Sequence, residues 1–154
     1  MTSDEQAIRN LLFSYAERID RGDIEGMARL FEHATYRAGD QPPISDWRAV
    51  RDLNQSLVIL YEDGTPKTQH VTTNVLIEVD PVGTSASSRS RFTVLQGAPA
   101  PALQVIVAGR YHDTFEKHAG AWRFASRHIF MDLIGDLTKH LRLDKLADAQ
   151  RRRS

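Results

Sequence analysis

Cysteine is absent from this chain of 154 residues, which excludes disulfides, thiolate metal sites and cysteine nucleophiles together. Excess charge is absent as well: Lys and Arg count 20, Asp and Glu count 20, and the formal net charge is zero. Such a balance leaves no electrostatic footprint for nucleic acid or an anionic membrane, so neither is expected as a partner. No apolar run approaches the roughly 20 residues that cross a bilayer, and the polar start Thr2-Ser3-Asp4-Glu5 carries no signal-peptide core. His112, His118, His128 and His140 show no zinc-motif spacing, and Gly-rich phosphate loops and Gly-x-Ser-x-Gly elbows are missing. The absences lead to one expectation: a single soluble, cytoplasmic domain over residues 1–154, with no metal and no cofactor.

Periodicity divides the chain into helices first and strands afterwards. Ile8, Leu11, Leu12, Tyr15 and Ile19 repeat at helical spacing, so a helix runs to about Arg21, capped by Thr2 or Ser3 and broken by Gly22. Asp23 caps a second helix through His33, with Ile24, Met27, Leu30 and Phe31 on one face. Residues 34–38 read as a short strand, and residues 39–43 as a turn. Ser45 or Asp46 starts a third helix that carries Trp47, Val50, Leu53, Leu57 and Leu60.

Strands are then expected at Lys67 to Asp80, Ser87 to Gln96, Leu103 to His118 and Trp122 to Met131, with a loop at 97–101 and a hairpin turn at Ala119-Gly120. A C-terminal helix bearing Leu137, Leu141 and Leu146 precedes a flexible tail over about 148–154, where Arg151-Arg152-Arg153 reads as solvated. This order predicts an α+β fold, with helices on one side of a curved antiparallel or mixed sheet that encloses a pocket.

Asp20 is the residue least at home. At 100° per residue it falls about 120° from Ile8, on the margin of the apolar stripe. It also sits in the last helical turn, where the macrodipole disfavours a negative charge. A carboxylate there either faces water or has a partner. Along the strand that follows Lys67, parity puts Val71, Val75, Ile77 and Val79 on one face and His70, Thr72 and Asn74 on the other. The polar set is a cavity lining or a water-facing surface.

The helix with Tyr15 and Asp20, then Thr68-Gln69-His70-Val71-Thr72-Thr73-Asn74, then Gly120-Ala121-Trp122-Arg123-Phe124-Ala125-Ser126-Arg127-His128-Ile129, resembles the scytalone dehydratase branch of the NTF2-like (SnoaL-like) superfamily. The likeness spans residues 5 to about 135. It extends to bacterial bile-acid 7α-dehydratases and a hexachlorocyclohexane dehydrochlorinase. It implies that Asp20 orients His70, that His70 removes a proton from carbon, and that Tyr15 and Arg127 contact substrate. A neutral imidazole backed by a carboxylate suits that task near pH 7. Two departures stand out. The strand Arg89-Ser90-Arg91-Phe92-Thr93 has no second histidine, and Tyr111 occupies the position of the dehydratase asparagine.

The resulting expectation is a cofactor-independent lyase or isomerase acting on a small apolar, aromatic or polycyclic carbonyl compound. His70, Asp20, Tyr15 and Arg127 form its chemistry, and Tyr36, Trp47, Tyr111 and Asn74 line its pocket. Arg127 has an equally plain alternative as the partner of a buried carboxylate, and the aromatic residues as core. The alternative from another class is a non-catalytic ligand-binding or assembly subunit, like the β subunits of ring-hydroxylating dioxygenases. An epoxide hydrolase would need an Asp-Arg-Asp set that the sequence does not display. A homodimer or homotrimer is expected from an aliphatic outer face at Val71, Val75, Ile77 and Val79.

Overall fold

The computed structural model describes residues 3–97 and 102–153. The predicted loop at 97–101 lies mostly outside them, as does Thr2. In chain order the elements are α1 (Asp4–Asp20), α2 (Ile24–Arg29), β1 (Thr35–Ala38), α3 (Trp47–Leu57), β2 (Thr68–Val79), β3 (Ser85–Gln96), β4 (Gln104–His118), β5 (Ala121–Ile134) and α4 (Leu143–Arg153). The five strands form one open mixed sheet in the order β1-β5-β4-β3-β2, with β1 parallel to β5 and the rest antiparallel. The α+β class is as expected. Among the described residues, no helix is long and apolar enough to cross a membrane.

Helix α1 crosses the sheet and is tied to it at both ends. Ser3 caps it by accepting the Gln6 amide. Near that end, Trp122 at the start of β5 donates its indole N–H to Asp4, and Lys117 pairs with the same carboxylate. The other end closes in a Schellman turn: the Gly22 amide bonds to Ile19 and the Asp23 amide to Arg18. Gly22 has φ 79°, and a Cβ there would lie 1.9 Å from the Gly64 carbonyl oxygen. Only glycine fits that approach.

The buried face of α1 (Ile8, Leu12, Tyr15, Ala16, Ile19) meets the inward face of the sheet (Ala86, Phe92, Val94, Tyr111, Phe115, Phe124). The interior is aromatic. Tyr111 stacks on Phe92 with ring centroids 4.5 Å apart, while Phe31 joins Tyr15, Tyr36 and Phe124 through edge or tilted contacts.

The structure departs from the expected pattern in strand β2 and in the segment around α4. Strand β2 carries a bulge between Thr73 and Leu76, with Asn74 at φ 52°. An extra residue reverses strand parity, so Ile77 and Val79 pair with the inward Ser88 and Ala86, and Val75 also packs on the core. The aliphatic outer face expected at Val75, Ile77 and Val79 does not exist. Asn74 instead lines an outer cleft with Arg89, Arg91, Arg110 and His112, and leaves the face that carries His70. Leu137 and Leu141 sit in a turn before α4 rather than on a helix, with Leu141 bridged to Val58. Helix α4 runs on through Arg151 and Arg152, past the expected start of the tail at about 148.

The β4–β5 hairpin turns through Ala119 (φ 49°) and Gly120 (φ 81°), two consecutive left-handed residues as a type I′ turn requires. Alanine is poorly suited to the first of these positions. Ala119→Asn is expected to raise unfolding free energy by about 0.5–1 kcal/mol in urea titration.

Candidate active site

The last turn of α1 places Asp20 against the start of β2. There its carboxylate collects three hydrogen bonds. Thr68 donates its hydroxyl at 2.9 Å, the His70 backbone amide donates at 2.7 Å, and the His70 ring meets the carboxylate through Nδ1 at 2.6 Å. A carboxylate only accepts, so Nδ1 carries a proton, and in the neutral ring Nε2 keeps a free lone pair. Among the described residues Nε2 makes no hydrogen bond. The His70 side chain is 8% exposed and that of Asp20 20%. Three donors offset the unfavourable helix end, which is why a carboxylate is tolerated there.

Arg127 is the largest fully buried side chain and lies on β5, inward. It forks onto Asp113 of β4 through Nε and Nη2, both at 2.9 Å, with neither side chain exposed. Its guanidinium lies 4.2 Å from the ring centroid of Tyr15, 3.9 Å from that of Tyr111 and 5.0 Å from that of Phe124. Burial works to lower the Arg127 pKa, but the Asp113 charge and hydrogen bonds outweigh it and hold it above its ordinary value. Its Nη1 is buried and lacks a hydrogen-bond partner.

Burial raises the Tyr15 phenol well above its usual range, and the Tyr36 and Tyr111 phenols add to this against Arg127. Burial likewise raises Tyr111, against Arg127, and Tyr36, Asp113 and Asp20 push the same way. Both phenols stay protonated near neutrality. Register puts His70 opposite Val94 and Tyr111 opposite the buried Ser90 on the inward face of the sheet, so the two groups share one interior.

Six of the eight residues expected from sequence therefore meet inside the fold: His70, Asp20, Tyr15, Arg127, Tyr36 and Tyr111. Trp47 does not take the expected role. Its ring starts α3 beneath the guanidiniums of Arg29, Arg48 and Arg51, at 4.3, 4.8 and 5.5 Å, and is committed to the α2–α3 contact. Asn74 is on the outer cleft. Four clefts among the described residues lie elsewhere on the molecule, and none of them is lined by His70, Tyr15, Tyr36 or Tyr111.

Two residues were missed. Asp113 shares the parity of Tyr111 and Phe115 on an otherwise apolar face, a signal that was readable in β4. His140 was weighed only as a zinc ligand. Its ring lies 6.2 Å from that of His70, and the residue is 7% exposed. Burial and then the His70 charge lower its pKa to about 4, with Asp20 opposing. Among the described residues, no group of three or more His, Cys, Asp or Glu could hold a metal.

A family model for the SnoaL-like domain matches residues 1–128. No curated protein matches the chain. Among solved structures, the chain is similar to a Mycobacterium tuberculosis protein of unknown function, with 26% identity, TM-score 0.72, and 96% of this chain and 88% of that one covered. It is also similar to a presumed scytalone dehydratase from Novosphingobium aromaticivorans, at 23% identity and TM-score 0.69, covering 86% and 87% of the two chains. A third likeness is to the β subunit of a presumed aromatic-ring-hydroxylating dioxygenase from the same organism, at 19% identity and TM-score 0.65, covering 83% and 88%.

Two predictions follow from these contacts. Asp113→Ala leaves a buried guanidinium unpaired and is expected to cost about 3–5 kcal/mol in chemical denaturation. His140, flanked by His70 and Asp20, takes up its proton only near pH 4, whereas unfolded histidine does so near 6.5. The unfolded chain binds more protons between these values, so the stability His140 contributes is full above about 6.5 and lost towards 4. Relative to His140→Phe, the wild type is expected to lose on the order of 2–3 kcal/mol across that window in parallel melts.

Proposed function

This chain belongs to the SnoaL-like domain family, and we propose that it is a cofactor-independent lyase or isomerase with His70 as its base. One observation carries the reading: the Nδ1 contact at 2.6 Å between His70 and Asp20, with Nε2 left unbonded among the described residues. In this reading Nε2 takes a proton from a substrate carbon and Asp20 stabilises the resulting imidazolium. Such positioned base catalysis contributes on the order of 10²–10⁴ in rate. Tyr15 and Tyr111, kept protonated by burial, donate to a substrate oxygen. Arg127 holds these phenols through its ring contacts, and its unused Nη1 adds a donor for developing negative charge. The substrate class is a small apolar or aromatic carbonyl compound.

The second reading is a catalytically silent subunit that binds a ligand or assembles with a larger partner. The aromatic filling of the interior favours it, and so does the fold shared with the dioxygenase β subunit. Self-association as a dimer or trimer suits either reading. With β2 turned inward, Leu76, Leu103, Val105, Leu133 and Ile134 are among the exposed apolar residues left for it.

Deuterium exchange at the α-carbon of 2-tetralone, followed by NMR in D₂O, separates the readings because it needs no knowledge of the natural substrate. Protein-catalysed exchange is expected in the wild type. It should fall at least 100-fold in His70→Ala and in Asp20→Asn while the circular dichroism spectrum stays native. Exchange unchanged in both variants would exclude His70 as the base.

A further inference from the structure

The turn that precedes α4 brings His140 to the Asp20–His70 pair, and it is held there firmly. The His140 amide bonds to Leu137 at 3.0 Å, and its carbonyl accepts the Ile59 amide at 2.9 Å. The neighbouring Lys139 carbonyl accepts both the Tyr61 hydroxyl and the Gln96 side-chain amide, the latter at 3.0 Å. Gln96 stands opposite Thr68 in the β2–β3 register, so the turn is anchored to the strand ends that carry the site. The His140 ring meets that of His70 edge to face at 6.2 Å. Yet its Nδ1 is buried with no hydrogen-bond partner. A polar atom left unpaired in the interior costs about 1–3 kcal/mol. A chain that anchors such a group so thoroughly has a use for the vacant bond.

We propose that His140 is a substrate-contacting residue: its Nδ1–H donates a hydrogen bond to the carbonyl oxygen of the substrate while His70 removes the proton from the adjacent carbon. The inference rests on the base assignment above and extends it to a substrate class. In the step, the C–H bond breaks and its proton passes to His70 Nε2. The electron pair moves into the carbonyl, giving an enolate whose oxygen is held by His140, which keeps its own proton. Burial and the neighbouring His70 keep His140 neutral, and a neutral imidazole is a competent donor to an oxyanion of comparable basicity. The substrate therefore carries an oxygen function next to the acidic carbon. A purely halogenated hydrocarbon would leave His140 unpaired.

The test uses binding as well as turnover. 2-Naphthol mimics the enol of 2-tetralone, and naphthalene has the same shape without the oxygen. Dissociation constants for both are measured by fluorescence or NMR titration on wild type, His140→Phe and His140→Gln, each first shown to be folded by circular dichroism. The expected result is that His140→Phe weakens 2-naphthol at least tenfold and leaves naphthalene unchanged, with partial recovery in His140→Gln. Equal 2-naphthol affinity in wild type and both variants, or no 2-naphthol binding to the wild type, would overturn the proposal. Loss of 2-tetralone exchange in His70→Ala alongside unaltered 2-naphthol binding in the His140 variants would remove His140 from the site and leave the base assignment standing. Tighter 2-naphthol binding in the His140 variants without any wild-type exchange would defeat both.

Discussion

The Asp20 carboxylate is the contact on which the arrangement depends. It sits where a helix end repels negative charge, and it is retained because Thr68, the His70 amide and the His70 ring all donate to it. Those bonds join α1 to β2, the edge strand farthest from β1 in the sheet. Asp4 does the same at the opposite end of the helix through Trp122 and Lys117. A helix held at both ends over a twisted sheet fixes where its buried face falls, and with it the position of Tyr15 above Tyr111 and Arg127. One carboxylate thus contributes to docking and to the tautomer of the adjacent imidazole.

Among the described residues, two clusters of ionisable groups stand in the aromatic interior. One is the Asp20–His70 pair with His140 beside it; the other is the buried Asp113–Arg127 fork between aromatic rings. A fully buried ion pair is weak evidence for stability, because desolvation of both charges offsets their attraction. Its value here lies in geometry. The fork orients a planar cation on which Tyr15 and Tyr111 pack, and this fixes the two protonated phenols in the interior.

Membership of the SnoaL-like family and the shared fold do not choose between chemistry and assembly, since similar structures carry names from both. The distinguishing features are local. Asp20, His70 and His140 come from α1, β2 and the turn before α4, three segments far apart in the chain, and each is anchored by its own hydrogen bonds. That convergence is the local feature on which the proposed chemistry rests.

Much of this was legible in the sequence. Helical periodicity and the Gly22 stop located α1, and the strand runs and turn residues located the hairpins, because local burial pattern and backbone preference act over a few residues. The misplacement of Asp20 at a helix end announced a partner, and the family resemblance named His70. Tertiary structure decided the rest. The bulge at Asn74 reversed the faces of β2 because a single added residue, held at positive φ, shifts a period of two, and no local composition marked it. Asp113 met Arg127 only once β4 and β5 were in register. His140 joined the site only when the turn before α4 folded back onto Gln96 and Tyr61. The sequence by itself determined which segments are helix and strand and which residue types carry charge into them. Which of those charges meet depended on register and long-range packing, since contacts between distant segments leave no period along the chain.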